Sequence, residues 1–327
     1  MQESPIEWLK IPGYSPRSWN NARGCKEVGT ECMHCYAKTM AERWRGTEGH
    51  PYEFGFDFRI APFKMEDPLR VMERCAVFVN SMTDVFYGGN KHDIGENPTD
   101  YIRDSCRVML IADWHIYIIL TKRVERMRKL LNRTDEVFTA AAQAPHIFWG
   151  VSAGNKKDGL PRIKILQDTD VRTRCVSFEP LLEDLGELDL RGIHWGKVGG
   201  ESGAGFRPMQ PQWAENVMRQ LREQKVARHF KQWGGHNHSE GGRKYRGRTY
   251  DEYPAVIEEL RDRKAPPRRD RLELIAHLRA EVREKWMNHP LLANVPDSMR
   301  PIYLGEEAGK NGRAGAFALP MAEKEEE

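Results

Sequence analysis

The residue types best suited to chemistry in this chain are three closely spaced cysteines. Cys25, Cys32 and Cys35 lie in the segment 23–44, RGCKEVGTECMHCYAKTMAERW, and are half of the 6 cysteines in the chain. Their spacing is C-x6-C-x2-C, and the residues after Cys35 predict a helix. Three thiolates on one loop can hold three irons of a [4Fe–4S] cluster and leave the fourth iron open to another ligand.

The same spacing is compatible with zinc or with no metal at all. Zinc also binds Cys-x2-Cys pairs, but it needs a fourth ligand, for which His34 or a distant residue is the candidate. His34 stands between two of the cysteines, where simultaneous ligation is sterically awkward. Without metal, the three residues would be buried thiols. Cys75, Cys106 and Cys175 do not cluster, and we expect them to be core residues.

Composition limits the class of protein. The chain has 327 residues, 39% of them hydrophobic, and a net charge of +3. No apolar run has the length of a membrane-spanning helix, and the first residues lack the pattern of a secretory signal. We therefore expect a cytoplasmic protein without a membrane partner, where clustered cysteines favour metal binding over disulfides. Because the net charge is small, any affinity for nucleic acid must come from local basic patches.

Short apolar runs alternate with amphipathic stretches up to about residue 240. Six runs predict strands buried on both faces: 75–84, 114–122, 146–154, 173–180, 193–202 and 227–235. A weaker seventh run, SPRSWNNARG, precedes Cys25. Repeated strand–helix units predict a parallel sheet. We expect an α/β fold with a partial (β/α)6–7 TIM-like barrel over residues 1–250, with a doubly wound open sheet as the alternative.

A second segment, residues 251–327, has a different character. It begins with a basic, proline-containing linker, RDRKAPPRRDR. The pattern then predicts an amphipathic helix over 271–286. The tail after it is rich in Gly and Ala and ends in acidic residues, so we expect it to be disordered.

Polar side chains stand where the predicted strands end. They are Ser81, Thr83, Asp84, Thr121, Lys122, Ser152, Glu179, Glu201, Ser202, Lys231 and Gln232. In barrels of parallel strands, the carboxyl ends of the strands form the rim that carries the active site. Glu179 is directly followed by a proline and two leucines, and burying such a carboxylate is costly without a partner. The set therefore predicts a functional site at this rim.

Seven motifs give a resemblance to a known family. In order they are GCKEVGTECMHCYA, FVNSMTDVF, ILTKRVERM, FWGVS, VSFEPLLEDL, VGGESGAGFRPM and FKQWGG, and they span roughly residues 18–240. The chain resembles the phage and prophage family of radical-SAM-like, three-cysteine-motif proteins. Most radical S-adenosylmethionine (SAM) enzymes instead have C-x3-C-x2-C, with an aromatic residue where His34 stands here.

The resemblance implies a radical SAM barrel, its cofactors and a set of site residues. Cys25, Cys32 and Cys35 would hold a [4Fe–4S] cluster, and SAM would chelate the open iron. One electron from a donor then cleaves SAM and yields a 5′-deoxyadenosyl radical, which abstracts hydrogen from the substrate. The candidate SAM contacts are Tyr36, Ser81, Thr83, Asp84 and Ser152. The candidate catalytic residues, for substrate contact or proton transfer, are Lys122, Glu179, Glu201 and Lys231.

The substrate class suggested by phage association is DNA or a modified nucleotide. The loop 236–250 combines four basic residues with two tyrosines, and such residues can bind phosphate and stack on bases. A non-catalytic nucleic-acid-binding or partner protein with a structural Fe–S or zinc site is the alternative. A zinc-dependent hydrolase is a third possibility, with His236 and His238 as its nearest ligands.

Overall fold

The computed structural model describes residues 1–88, 98–237 and 239–286. Its main sheet contains eight strands, and a separate pair, β3 and β4, forms a small antiparallel sheet. The strands are β1 (Gln2–Glu3), β2 (Ser15–Trp19), β3 (Ala22–Arg23), β4 (Arg59–Ile60), β5 (Cys75–Val79), β6 (Ile116–Thr121), β7 (Ile147–Ser152), β8 (Arg174–Phe178), β9 (Trp195–Gly199) and β10 (Ala227–Gln232).

Helices connect the strands. They are α1 (Tyr36–Glu42), α2 (Asp67–Arg70), α3 (Thr99–Ile111), α4 (Val124–Leu131), α5 (Glu136–Gln143), α6 (Lys156–Gln167), α7 (Pro211–Glu223) and α8 (Arg268–Trp286). Local sequence explains several starts. The side chains of Asp135 and Asn155 cap α5 and α6 by accepting backbone N–H groups, and Pro211 occupies the first turn of α7.

The strand order follows the chain order. The main sheet runs β1-β2-β5-β6-β7-β8-β9-β10, and every neighbouring pair is parallel except β1 with β2. A doubly wound sheet reverses its order at a switch point, so this alternative is excluded. The sheet is an open, curled half barrel with an α/β architecture. All six predicted strands and the weaker seventh, which is β2, are confirmed.

The two faces of the sheet have different covers. Alternate side chains such as Val77, Tyr117 and Val198 belong to the main core together with residues of the helices. Ala76, Ile116, Phe148, Cys175 and Trp195 point the other way, to what we call the inner face. A second core covers its lower part with Trp8, Leu9, Ile11, Ile257 and Leu260. The inner face is therefore closed by two short 3-10 helices, Glu7–Leu9 and Ala255–Leu260, rather than by the α-helices that connect the strands.

Helix α8 covers the segment predicted to be a helix and begins three residues earlier, at Arg268. Ile275, Leu278, Val282 and Trp286 join the main core, and Trp286 Nε1 donates to Asp104 at 3.2 Å. The acidic tail predicted to be disordered lies outside the described residues. Within the residues that the structure describes, no helix is long and apolar enough to cross a membrane.

Candidate functional site

The cysteine loop, residues 24–35, lies beside the rim formed by the carboxyl ends of the parallel strands. Gly24 N donates to Met82 O at 3.0 Å, and the Thr83 hydroxyl donates to Gly24 O. Gly24 has φ +78°, and a Cβ there would meet Asp57 O at 2.2 Å, so only glycine fits. All three cysteines of the loop are free thiols of intermediate burial.

Arg123 anchors the first part of the loop to the end of β6. It donates to Cys25 Sγ at 3.4 Å and to Lys26 O at 2.9 Å. Asp84 holds Arg123 at 3.2 Å and also accepts from Thr121 Oγ1 at 2.7 Å. Burial raises the pKa of the Cys25 thiol to about 11, although Arg123 opposes this shift.

A buried ion pair anchors the middle of the loop to β7 and α6. The Glu31 carboxylate accepts from Gly154 N at 2.5 Å and pairs with Arg162. Arg162 also donates to Ser152 O at 3.0 Å. The two charged side chains are 0% and 7% exposed. Such a pair resists rearrangement, because separating it would leave a buried charge without a partner.

Glu201, just beyond β9, anchors the end of the loop. His34 Nδ1 lies 3.0 Å from its carboxylate, and Arg207 binds the same carboxylate at 2.5 Å. Arg207 also donates to Thr30 O at 2.9 Å. Burial alone would raise the pKa of Glu201. The hydrogen bonds from Arg207 and His34 lower it by more, so the pKa of Glu201 lies below the ordinary value.

These anchors bear on three residues that the sequence predicted for SAM contact or catalysis. Thr83, Asp84 and Glu201 reach the rim as expected, but each side chain already binds the cysteine loop or the residues that support it. Their predicted roles toward SAM and substrate stay predictions. Sequence reasoning missed Glu31, Arg123 and Arg162, although Glu31 stands inside the cysteine motif.

The loop carries three thiols, the donor type by which proteins hold iron–sulfur clusters. Cys25 and Cys35 contact the same small apolar cluster around Phe56 and Met82. Across 1–88, 98–237 and 239–286, no three His, Cys, Asp or Glu side chains are placed to hold a single metal ion. A cluster binds each thiolate through a different iron and so accepts more widely spaced sulfurs. His34, the nearest fourth zinc ligand, is engaged by Glu201.

Helix α1 starts directly after Cys35, as the sequence predicts, and exposes apolar side chains. Tyr36 and Met40 on α1 are 51% and 46% exposed, and Trp44, two residues beyond the helix, is 43% exposed. The Tyr36 hydroxyl donates to Ser81 O at 2.8 Å, and Ser81 Oγ donates to Asn20 at 3.2 Å. Tyr36 and Ser81, both predicted for SAM contact, thus lie together at the rim.

Polar side chains of Glu179, Lys231 and Gln232 meet at the rim of β8 to β10. Glu179 follows β8 directly, and its carboxylate pairs with Lys231 and accepts from Gln232 Nε2 at 2.6 Å. The register of β9 and β10 shifts between Phe230 and Gln232, so Lys231 sits in a bulge. Bulges of this kind re-aim side chains next to active sites. Glu179 and Lys231, predicted as catalytic, are thus in direct contact, whereas Lys122 lies at the end of β6.

One pleat deeper on the inner face lie two polar side chains that sequence reasoning missed. Lys197 is fully buried, with Nζ 3.7 Å from the centre of the Trp195 ring and 4.9 Å from that of Trp8. Lys197 Nζ also faces the Cys175 thiol, whereas Ser177 Oγ has no hydrogen-bond partner in the described part of the chain. Burial lowers the pKa of Lys197 to about 8. The sequence feature that could have identified Lys197 is a lysine in the middle of an apolar strand, WGKVG.

The loop 236–250 differs from the expected nucleic-acid patch. Tyr245 and Tyr250 are buried, and Tyr245 packs against Phe230 with ring centres 5.6 Å apart. Arg243 and Arg246 are in ion pairs with acidic residues. The expectation that these tyrosines stack on bases is therefore wrong, because the main core takes them up. His238 of the proposed zinc pair lies outside the described residues.

Comparisons with known proteins give one match. The model of a family described as "Protein of unknown function (DUF5131)" matches residues 3–254. The matched range contains β2 to β10 and the whole rim, and it ends before α8. No curated protein and no solved structure matches the chain significantly.

Proposed function

The chain belongs to this family of proteins of unknown function, and we propose that it is a radical SAM enzyme acting on DNA bases or nucleotides. The observation that carries this proposal is the cysteine loop. Its three thiols lie on a segment that Arg123, Arg162 and Glu201 attach to the ends of β6, β7 and β9. A loop held at three strand ends keeps a preorganised donor set beside the inner face.

Each group of residues has a role in this proposal. Cys25, Cys32 and Cys35 would hold the cluster, and Tyr36 and Ser81 stand where SAM would meet the rim. A reduced cluster with bound SAM supplies the radical that abstracts a hydrogen atom from the substrate. The protein itself contributes orientation and the exclusion of water. In this proposal the half barrel is a radical SAM fold. We also propose that the chain belongs to the phage and prophage family that it resembles.

The substrate would lie against the rim of β8 to β10. Glu179 and Lys231 are 22% and 15% exposed, so a substrate at the rim can reach both side chains. Lys231 would donate to a substrate oxygen, and Glu179 would accept a proton or an N–H group. Lys122 lies at the end of β6, two strands away from β8, where its positive charge would suit a phosphate group of a larger substrate.

A specific observation favours a second candidate function. Val28, Met33, Met40 and Trp44 are exposed on or near the cysteine loop. Exposed apolar side chains grouped on one segment mark interaction surfaces. They favour a non-catalytic protein that binds a partner or nucleic acid and carries a structural cluster.

Anaerobic reconstitution separates the two candidates. The protein is loaded with iron and sulfide, and its iron, sulfide and zinc contents and its paramagnetic resonance spectrum are measured. SAM and dithionite are added with a mixture of deoxynucleosides and DNA, and 5′-deoxyadenosine is assayed by mass spectrometry. Cys32→Ala is the test variant, and Cys106→Ala, which changes a core thiol, is its matched control.

The radical enzyme predicts 5′-deoxyadenosine from the native protein and the Cys106→Ala variant, and none from Cys32→Ala. A loaded cluster that never cleaves SAM with any of these substrates would leave the second candidate standing. Stoichiometric zinc without a cluster would overturn the radical enzyme outright.

A further inference from the structure

A cavity lies at the edge of the main sheet opposite the rim. It has a volume of about 750 Å³ and is lined by residues 13–15, 72–74 and 261–265. β2 and β5 begin here, and Ser15 pairs with Cys75 in their register. The five residues of β2, roughly 16 Å of strand, lie between this cavity and the cysteine loop. Cavities of this size accommodate small ligands.

Basic side chains gather at this cavity. Four line it: Arg74, Arg261, Arg263 and Lys264. The Arg74 guanidinium lies 5.5 Å from the centre of the buried Tyr14 ring. Burial raises the pKa of the Tyr14 hydroxyl, and the charges of the three arginines oppose this rise. The three guanidinium groups are therefore near one phenol, and an anion bound among them would relieve their mutual repulsion.

Two of these arginines are paired with carboxylates but remain accessible. Arg261 binds Glu258 at 2.8 Å, and Arg263 binds Asp113 at 2.8 Å. Arg263 makes these contacts, and one to His146, through Nη1 alone. Among the described residues, its Nε and Nη2 groups have no partner. The side chains of Arg261 and Arg263 are 37% and 31% exposed, so a ligand in the cavity can reach them.

The other two basic side chains leave the cavity with an excess of positive charge. In the part of the chain that the structure describes, neither Arg74 nor Lys264 forms an ion pair with a carboxylate. The lining also includes two acidic residues, Glu73 and Asp262. Arg17 binds Glu73 at 2.5 Å and neutralises it. Asp262 is exposed, so it is the carboxylate that opposes the two unpaired cations.

Phosphate is the anion that best matches these donors. A guanidinium presents its N–H donors in a planar fork that fits two phosphate oxygens, and an ammonium group adds a compact positive charge. A phosphate monoester carries about two negative charges at pH 7, twice the charge of a carboxylate. Met72 on the same wall is 56% exposed, so it offers an apolar contact to the organic part of an ester.

We propose that this cavity binds the phosphate group of a phosphate ester. Arg74, Arg263 and Lys264 donate to the phosphate oxygens, and the organic part of the ester packs on Met72. The site is separate from the rim and the cysteine loop, so the inference does not rest on the proposed function. A free nucleotide and a nucleic-acid strand both carry such a group, so both sources are tested.

The test is isothermal titration calorimetry of the full-length protein at low salt. The probes are thymidine 5′-monophosphate, thymidine, inorganic phosphate, the dicarboxylate glutarate and a short single strand of thymidylates. The monophosphate is expected to bind, and thymidine, which lacks the phosphate, is not. Inorganic phosphate and glutarate should bind at least about tenfold more weakly than the monophosphate. Tighter binding of the strand would assign nucleic acid as the source, and tighter binding of the monophosphate would assign a free ester.

Site variants test the basic side chains. Arg74→Met and Lys264→Met should each weaken binding about tenfold, because each removes a charge-assisted hydrogen bond and keeps an apolar side chain. Asp262→Asn should strengthen binding about twofold, since it removes the opposing carboxylate. Lys164→Met removes an exposed charge of α6, outside the cavity, and should bind as the native protein does. If Arg74→Met fails to fold by circular dichroism, the exposed Lys264→Met replaces it.

Several results would overturn the site. They are the failure of both the monophosphate and the strand to bind, equal binding of thymidine or of glutarate, and native affinity in both Arg74→Met and Lys264→Met. Inorganic phosphate that binds as tightly as the monophosphate would overturn the assignment of an ester.

The outcome is separable from that of the proposed function. The binding measurements need neither a cluster nor SAM, whereas the radical enzyme is tested by 5′-deoxyadenosine formation. Phosphate-dependent binding without 5′-deoxyadenosine would support the cavity site alone. Formation of 5′-deoxyadenosine without such binding would support the radical enzyme alone.

Discussion

Among single residues, Lys197 combines a chargeable ammonium group with complete burial in an apolar environment. Its amine lies between two tryptophan rings and beside the Cys175 thiol, and burial is the main cause that lowers its pKa from 10.5 to about 8. Cys175 and Glu179 favour the charged form, whereas the nearby charge of Lys231 opposes it. His229 on β10 is also buried, and its pKa lies at about 2, so it adds no charge near neutral pH.

The low pKa of Lys197 predicts a particular pH dependence of stability. Between about pH 8 and pH 10.5 the unfolded protein binds more protons than the folded protein, so the free energy of unfolding rises with pH. The gain is on the order of 3 kcal/mol, since one pKa unit corresponds to about 1.36 kcal/mol. Lys197→Met should lack this gain, as measured by urea unfolding across that range.

Lys164→Met is the control for this measurement, because Lys164 is 68% exposed and forms a surface pair with Asp168. Its pH profile should follow that of the native protein. If the free energy of unfolding of Lys197→Met depends on pH as that of the native protein does, the pKa of Lys197 is not lowered in the folded protein.

Contacts between side chains that are distant in the chain could not be predicted from the sequence. Glu179 and Lys231 were found because each stands at the end of a recognisable strand. That they touch depends on a glycine and a bulge that only the register shows. Arg162 lies 131 residues from Glu31 in the chain, and no local pattern predicts so distant a partner.

Among the structural elements, the cysteine loop has the most unusual construction, since a buried ion pair fixes an irregular segment. Replacing Glu31 by Gln leaves Arg162 charged and buried without a carboxylate. We expect Glu31→Gln to lower the free energy of unfolding by about 3–5 kcal/mol, as for other broken buried pairs. Chemical unfolding measures this change, and the iron bound after reconstitution should fall with it.

Glu27→Gln is the matched control within the same loop. It removes a carboxylate from the pair with Lys38, whose two side chains are 51% and 49% exposed. Exposed pairs contribute at most about 1 kcal/mol, so this variant should remain close to the native protein in stability and iron content. Equal losses from the two variants would show that the Glu31 pair does not hold the loop.

For the whole molecule, the alternation of apolar runs and amphipathic stretches was sufficient to predict the seven parallel strands of the main sheet, but it left their order in the sheet open. It did not predict what covers the inner face. Trp8 and Leu9 come from a short 3-10 helix near the N-terminus, and Ile257 and Leu260 from another near residue 257. Segments of three to six residues are too short to show a periodic pattern.

The half barrel should therefore depend on this cover. Trp8 is 3% exposed, packs on Trp195 and Phe78, and lies over Lys197. We expect Trp8→Ala to lower the free energy of unfolding by about 3–5 kcal/mol, as large-to-small core changes do. The control is Trp44→Ala, because Trp44 is 43% exposed on the surface near the cysteine loop and should cost less than about 1 kcal/mol. Chemical unfolding compares the two, and a similar loss in both would mean that the N-terminal segment does not close the inner face.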